Sequence, residues 1–221
     1  MVEIAPQVFE LRTRGANAFL LVDEELTLID AGLWGTATLL ADFLPRISRS
    51  PHEVTRILLT HQHWDHTGGL VRLKKLTNAQ VAIHKADRDF LAAPFSPSLL
   101  SHPTLSNLNK KIFNPPTEAF DTLLEGGEVL PLMGGLEVIH TPGHTPGSIC
   151  FYSRQRSLLI VGDALHHRWG RLNLPAKVYT VNPAQAEESV KKLARLAFQV
   201  LCFGHGRAIT QEAQESVAGL I

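Results

Sequence analysis

The stretch Thr60–Gly69, which reads Thr-His-Gln-His-Trp-Asp-His-Thr-Gly-Gly, sets the organisation of this chain. It places three imidazoles and one carboxylate within six consecutive positions, directly after an apolar run at 57–59. An apolar run that leads into a polar, glycine-containing segment is typical of a buried strand followed by a loop. Residues two apart in an extended loop point the same way, so His61 and His63 can bind one cation together. Asp65 and His66 follow a bend and can face a second cation.

Imidazole and carboxylate ligands suit zinc, iron or manganese, and they exclude a thiolate-type site. The alternative interpretation is a solvated polar loop that happens to be rich in histidine. Against that alternative, three later stretches repeat one pattern, in which an apolar strand is followed by a glycine and a candidate ligand. These candidates are His144, Asp163 and His205, so five of the chain's 11 histidines belong to one constellation. The pattern therefore favours a metal site.

Taken together, these stretches resemble the metallo-β-lactamase fold superfamily, whose pattern is His-x-His-x-Asp-His followed by distant His, Asp and His. All seven ligand positions are matched in order. The resemblance implies that the ligands divide into two sites, with Asp163 bridging them. The first site would contain His61, His63 and His144, and the second would contain Asp65, His66 and His205.

The resemblance also implies a dinuclear metal-dependent hydrolase. Two divalent cations, with zinc expected and iron or manganese as alternatives, would share a hydroxide that attacks the ester, thioester or lactone bond of a small molecule. Asp65 and Asp163 are the predicted catalytic carboxylates, because Asp65 can orient the hydroxide and Asp163 can hold both cations. The sequence shows no recognisable activated serine or cysteine nucleophile.

Two other activities of the same fold remain open. Persulfide dioxygenases use a single iron, at positions that match His61, His144 and Asp163. Phosphodiesterases and nucleases share the ligands as well, but 21 basic and 21 acidic residues give a formal net charge of zero and no field to attract nucleic acid. One class of true β-lactamases carries a cysteine at the position of Asp163, and those enzymes are exported, which disfavours antibiotic hydrolysis.

The stretch after Asp163 is predicted to contact the substrate. Its candidate residues are His166, His167, Arg168, Trp169 and Arg171. We expect one of the two arginines to hold an anionic group of the substrate by charge-assisted hydrogen bonds, whereas the alternative for both is a surface ion pair. Glyoxalase II-like thioesterases carry Gly-x-Gly-Arg here, which this chain does not reproduce. Lactonases that open acyl-homoserine lactones keep all seven ligands and are often covered by insertions.

Asp30 closes an apolar run just before a glycine and has two interpretations. It can cap a turn or helix through its carboxylate. The resemblance instead makes it an outer residue that holds the metal-binding loop in place.

The rest of the chain predicts an α+β fold in a single domain, residues 1–221. Strand-like runs lie at 8–11, 18–22 and 26–29 in the first half, and at 136–139, 148–152 and 158–161 in the second. Amphipathic helices are predicted at 36–47, at 70–76 and from Pro183, with Asn182 as the N-cap of the last. Two such halves predict a four-layer αβ/βα sandwich, which is the metallo-β-lactamase fold, with the ligands gathered at one edge.

Residues 94–120 interrupt this alternation, with five prolines among apolar side chains. A long loop in a compact domain is usually functional. Insertions at this point cover the active site in the resembled family, so we predict a substrate-contacting lid or a homodimer contact. The alternative is an irregular surface segment.

Composition limits the remaining possibilities. Hydrophobic residues make up 44% of the chain and charged residues 19%, which is typical of a globular protein. The amino terminus lacks the basic and apolar regions of a signal peptide, and no apolar run is long enough to cross a membrane. We therefore expect a cytoplasmic enzyme with a small-molecule substrate and neither nucleic acid nor membrane as a partner. Cys150 and Cys202 have no disulfide or metal spacing and are predicted to be small buried hydrophobes.

Overall fold

The computed structural model describes residues 1–92 and 115–220, in which two β-sheets face each other. The first sheet contains, in spatial order, β1 (Val2–Ala5), β2 (Val8–Leu11), β3 (Ala18–Val22), β4 (Leu26–Ile29), β5 (Val54–Leu58), β6 (Gln80–His84) and β7 (Thr122–Leu124). The second contains β8 (Val129–Leu130), β9 (Leu136–His140), β10 (Ile149–Ser153), β11 (Leu158–Ile160) and β14 (Val200–Cys202), adjacent in that order. A separate hairpin pairs β12 (His166–Arg168) with β13 (Arg171–Asn173).

The helices cover the outer faces of the two sheets. Their bounds are α1 (Thr36–Phe43), α2 (Trp64–Thr67), α3 (Leu70–Thr77), α4 (Lys85–Ala92), α5 (Pro183–Leu193) and α6 (Ala213–Ala218). The predicted helix at 36–47 ends as a 3-10 turn that contains Pro45, which has no N–H to continue the helical bonds. Helix α5 begins as predicted, because the Asn182 side chain accepts a hydrogen bond of 3.1 Å from the Gln185 amide.

Three apolar clusters lie between the layers and confirm the four-layer sandwich. Alternate residues of one strand serve different clusters, as the two-residue period of a strand requires. Phe19 of β3 faces the second sheet, whereas Leu20 packs against α1 and α3. Phe151 of β10 faces the first sheet, whereas Cys150 lies in the cluster beneath α5 and α6. Both cysteines are buried, as predicted.

The strand directions explain why the ligands meet at one edge. Strands β4, β5 and β6 are mutually parallel, and β11 is parallel to β14. The carboxyl ends of parallel strands share an edge. The ends of β4, β5, β11 and β14 lead into loops that carry polar side chains, whereas β6 leads directly into α4. Asn17 joins the two halves there, since its side-chain amide donates to the carbonyl oxygens of Phe203 at 3.1 Å and Gly206 at 2.7 Å.

Some elements were not predicted, and one prediction lies largely outside the described residues. Strands β1 and β7 and the β12–β13 hairpin were absent from the sequence-based assignment. The predicted lid or dimer contact at 94–120 falls mostly on 93–114, outside the described ranges, and the short 3-10 turn Thr117–Ala119 belongs to the part that is described. Within 1–92 and 115–220, every helix is too short or too polar to traverse a lipid bilayer.

Candidate metal centre

All seven predicted ligands converge at the common edge of the sheets. Their ligand atoms form groups within 4.8 Å of one another: His61, His63 and His144; His61, His66 and Asp163; Asp65, His66 and His205; and Asp163, His166 and His205. We call the first of these groups the first set and Asp65, His66 and His205 the second set. The eighth residue, His166, was predicted to contact the substrate rather than to join this cluster.

The backbone of the metal-binding loop divides its side chains between the two sets. His63 is extended, with φ −62° and ψ 142°, and helix α2 begins at the next residue. His61 and His63 therefore lie before the bend, and Asp65 and His66 lie in the single turn of helix after it. This is the division that the spacing predicted.

Asp30 holds this loop through three hydrogen bonds. Its Oδ1 accepts the Thr60 amide at 2.8 Å, while its Oδ2 accepts the Thr60 hydroxyl and the His66 Nδ1–H, both at 2.8 Å. The side chain is 1% exposed, and its backbone adopts the left-handed conformation with φ +61°. The contacts support the interpretation of Asp30 as the residue that positions the loop, and not as a helix cap.

Neighbouring hydroxyls direct the ring nitrogens of two further histidines. The Thr60 hydroxyl donates to Asp30, so it can accept from His61 Nδ1–H, which lies 3.1 Å away. The Thr180 hydroxyl donates to a backbone carbonyl at 3.0 Å and lies 3.4 Å from His144 Nδ1. In both rings Nδ1 carries the proton and Nε2 keeps a lone pair. This arrangement is how proteins orient imidazole ligands.

Asp87 fastens the two ligand loops to each other and is fully buried at the start of α4. Its Oδ2 accepts the Gln62 amide at 2.9 Å and the Thr145 hydroxyl at 2.8 Å, and its Oδ1 accepts the Gly147 amide at 2.6 Å. Burial raises the pKa of Asp87 to about 7, although these three hydrogen bonds favour the ionised form. The loops that carry His63 and His144 are thus held by one carboxylate.

The first set is uncharged in the metal-free protein. Burial lowers the pKa of His61 and His144 well below the usual range, and it lowers the pKa of His63 to about 4. His63 Nδ1 lies 3.0 Å from His144 Nε2. Neutral imidazoles have lone pairs available, so these converging nitrogens can bind a cation without first losing protons.

The second set is charged in the metal-free protein. Burial lowers the pKa of His66, but Asp30 and Asp163 offset it and raise that pKa well above the usual range. Burial also lowers the pKa of His205, but Asp163 and Asp65 raise it to about 9. Both rings therefore hold protons near neutral pH, and a cation must displace them.

Asp163 lies between the sets. Its Oδ1 is 3.2 Å from His66 Nε2, and its Oδ2 is 3.3 Å from His205 Nε2 and 3.5 Å from His144 Nε2. Burial raises the pKa of Asp163, but the surrounding imidazoles lower it well below its usual range. A side chain at Gly204 would collide with Asp163 Oδ1, so this close approach requires glycine. The carboxylate is ionised and faces both sets.

The donor atoms fit divalent cations. Four buried atoms of the cluster make no hydrogen bond of ordinary geometry to the described residues: Nε2 of His61, His66 and His166, and Oδ1 of Asp163. Leaving a buried polar atom unsatisfied costs roughly 1–3 kcal/mol. Cations bound by nitrogen and oxygen would satisfy these atoms, and this donor chemistry is that of zinc, iron or manganese.

The structure separates the five predicted substrate residues. Of these five residues, only His166 belongs to a group of potential metal ligands within the described part of the chain. His167 turns away, and its Nδ1–H donates to the Arg207 carbonyl at 2.8 Å. Trp169 is 93% exposed at the hairpin turn. Arg168 and Arg171 are also exposed, and neither forms an ion pair with any residue of the described ranges. Their contact with substrate stays a prediction.

Two functional contacts were missed from the sequence. Asp87 was not singled out, because an acidic residue in the first turn of a helix is ordinarily explained by the helix dipole. Thr180 was also missed, and no local pattern distinguishes its hydroxyl from that of other loop threonines. Its contact with His144 depends on the fold of the whole second half.

Comparison with known proteins identifies the family. A family model described as "Metallo-beta-lactamase superfamily" matches residues 11–205. The chain belongs to this superfamily. A metallo-β-lactamase family protein of Thermus thermophilus superposes with a TM-score of 0.75 at 26% identity, over 99% of this chain and 79% of that one.

Two relatives in sequence have activities stated in their descriptions. A probable metallo-hydrolase of Methanocaldococcus jannaschii is 32% identical over 196 residues, which cover 86% of this chain and 87% of that protein. A hydroxyacylglutathione hydrolase of Pseudomonas paraeruginosa is 35% identical over 143 residues, which cover 63% of this chain and 42% of that protein. This member of the metallo-β-lactamase superfamily is a metallo-hydrolase.

Proposed function

We propose that this chain uses two divalent cations to hydrolyse an ester, thioester or lactone bond of a small molecule. The observation that carries the proposal is the position of Asp163, whose carboxylate faces imidazoles of both sets at 3.2–3.5 Å. Its Oδ1 faces His66 of the second set, and its Oδ2 faces both His205 of the second set and His144 of the first. Both sets are complete, which favours two ions over the mononuclear iron of a persulfide dioxygenase.

Cations bound by the two sets would lower the pKa of a water molecule and polarise the carbonyl oxygen that it attacks. Asp65 can orient this water. Burial raises the pKa of Asp65, but its hydrogen bond to His205 and the charge of His66 lower that pKa to about 2. The carboxylate is therefore ionised at neutral pH. Its Oδ2 faces His205 Nε2 at 3.2 Å, while its Oδ1 can accept a hydrogen bond from the water.

Burial excludes bulk water from several of the ligands, whereas Asp65 and His205 are partly exposed. The side chains of His61, His66 and His144 are at most 2% exposed. Electrostatic interactions are stronger where bulk water is excluded. We expect zinc in both sets because imidazole and carboxylate are its common ligands, with iron or manganese as the alternatives.

The relatives support the choice of bond. Hydroxyacylglutathione is a thioester, and the matching protein is 35% identical over 143 residues. That match covers 42% of the relative, and the residues after Asp163 differ from the Gly-x-Gly-Arg of glyoxalase II-like enzymes. We therefore propose esters and lactones, as well as thioesters, as the candidate substrates. We also propose that the enzyme is cytoplasmic and that it requires neither nucleic acid nor a membrane.

Metal analysis combined with a substrate panel tests the proposal. We expect two ions per wild-type chain, about one in His205→Ala, and two in the control His167→Ala, whose ring lies outside the two sets. The panel comprises a thioester, a lactone, a phosphodiester and glutathione persulfide. A single iron that His205→Ala retains would refute the two-ion model, and turnover of only the phosphodiester or the persulfide would refute the choice of bond.

A further inference from the structure

His166 lies inside the metal cluster although the superfamily pattern assigns it no ligand role. Its Nε2 is 3.1 Å from Asp163 Oδ2, and its ligand atom groups with those of Asp163 and His205 within 4.8 Å. The residue is 9% exposed, and its Nε2 makes no hydrogen bond to the described part of the chain. A buried imidazole nitrogen that faces a carboxylate without a well-formed hydrogen bond to it requires an explanation.

His166 approaches the bridging carboxylate as closely as the predicted ligands do. The distances from Nε2 to the nearer Asp163 oxygen are 3.2 Å for His66, 3.3 Å for His205 and 3.5 Å for His144. The corresponding 3.1 Å for His166 is the shortest of the four. The distance to Asp163 therefore does not distinguish His166 from residues that the motif identifies as ligands.

The β12–β13 hairpin builds this position. His166 pairs with Asn173 across the hairpin, and the His167 amide donates to the His205 carbonyl at 3.0 Å. The hairpin is therefore fixed to the loop of a second-set ligand. Successive residues of a strand point to opposite sides, so His166 faces the cluster and His167 faces away. His167 then provides a matched control, because it is the same residue type on the same strand.

We propose that His166 is an eighth protein ligand, which joins Asp65, His66, Asp163 and His205 around the cation of the second set. The inference rests on the proposed two-ion function and adds a residue to it. Three imidazoles and two carboxylates exceed the four ligands of a typical tetrahedral zinc site. They suit a cation that accepts six ligands, such as Mn²⁺ or Fe²⁺. The second set would then discriminate less strongly in favour of zinc than the first.

The competing role for His166 is a hydrogen bond from Nε2–H to Asp163, with no bond to a cation. Metal affinity alone does not separate the two roles, because removing an outer hydrogen-bond partner already weakens metal binding by roughly 10–100-fold. A spectroscopic count of the bound imidazoles does separate them. Paramagnetic Co²⁺ strongly shifts the NMR signals of the ring protons of imidazoles that bind it directly.

The test compares Co²⁺-loaded wild type with His166→Ala, His166→Gln and His167→Ala. We expect six shifted imidazoles in the wild type, five in both His166 variants and six in the His167 control. Zinc should also compete more effectively against Mn²⁺ for the second ion in the His166 variants than in the wild type. Five shifted imidazoles in the wild type, all retained in His166→Gln, would refute the inference.

The stoichiometry of the wild type separates this inference from the proposed function. Two Co²⁺ ions with an unchanged imidazole count in the His166 variants would refute the eighth ligand and leave the two-ion function intact. One bound ion would refute the two-ion function, and the loss of one shifted imidazole in His166→Gln would still identify His166 as a ligand. His166→Gln keeps a side chain of similar size and serves if His166→Ala does not fold.

Discussion

Replacing Asp87 by alanine should destabilise the protein strongly, although this residue binds no predicted cation. The change would leave the buried amides of Gln62 and Gly147 without a hydrogen-bond acceptor. The Thr145 hydroxyl would still have a hydrogen-bond partner, because Ser148 Oγ lies 2.8 Å away. A buried donor without a partner costs roughly 1–3 kcal/mol. Two such donors predict a loss of about 2–6 kcal/mol in the free energy of unfolding. This is a large part of the roughly 5–15 kcal/mol that stabilises a typical domain.

The measurement is denaturant unfolding of the metal-free protein at about pH 5, because burial raises the Asp87 pKa to about 7 and the cost of burying its charge then offsets little of the loss. Asp89→Ala is the matched control, because Asp89 lies on the same helix, is partly exposed and, among the described residues, forms ion pairs with Lys85 and Arg88. Exposed pairs contribute roughly 0–1 kcal/mol, so the control should unfold almost as the wild type does.

Asp87→Asn refines the same prediction. Asparagine has one acceptor oxygen and cannot serve both Gln62 and Gly147, so the Asn variant should lose less stability than the Ala variant and more than the control. Both Asp87 variants should also bind metal roughly 10–100-fold more weakly, because the two ligand loops are no longer held together. An Asp87→Ala protein that unfolds within about 1 kcal/mol of the wild type would refute this reasoning, since even one orphaned donor predicts more.

Three further predictions concern charge at the site. In the metal-free protein His205 has a pKa of about 9, and the pKa of His66 is raised well above its usual range, so the affinity of the second set should increase as pH rises from about 6 to about 8. Calorimetry in two buffers would count the released protons, and a pH-independent affinity would contradict the prediction. The Asp163→Asn variant should bind one ion less than the wild type and lose turnover by orders of magnitude, while its circular dichroism spectrum is unchanged. Normal turnover with two bound ions would show that Asp163 is not the bridging ligand. Arg168→Ala or Arg171→Ala should raise KM for an anionic substrate, and unchanged KM in both would exclude anion binding by these residues.

The sequence predicted the sheets and the convergence of the seven candidate ligands because both depend on local pattern. Strand β3 spans the predicted residues and helix α5 begins at the predicted residue, since alternation and the Asn182-Pro183 start are local signals. The seven ligands follow strand ends, and parallel strands bring those ends together. Strand β7 escaped prediction because Thr122–Leu124 has only three residues, of which one is buried.

The outer contacts could not be predicted, because they depend on the packing of distant segments. An aspartate in the first turn of a helix is ordinarily explained by the helix dipole, so Asp87 carried no sign of its three buried partners. The role of His166 depends on which side of a short polar hairpin faces the cluster. A stretch of adjacent polar residues after Asp163 left that direction open, and all five were assigned to the substrate.

The ligand sets have a mechanical consequence, because each combines residues from both halves of the sandwich. The first set joins His61 and His63 to His144, and the second joins Asp65 and His66 to His205. Bound cations would act as reversible cross-links between the two sheets, each stabilising the assembled state by RT ln(1 + [M]/Kd). For one half of the sandwich to unfold while the other stayed folded, the bound metal would first have to be released. The concentration of free metal around the protein would therefore set how long the folded chain survives, and a chelator would speed amide exchange in both sheets at once.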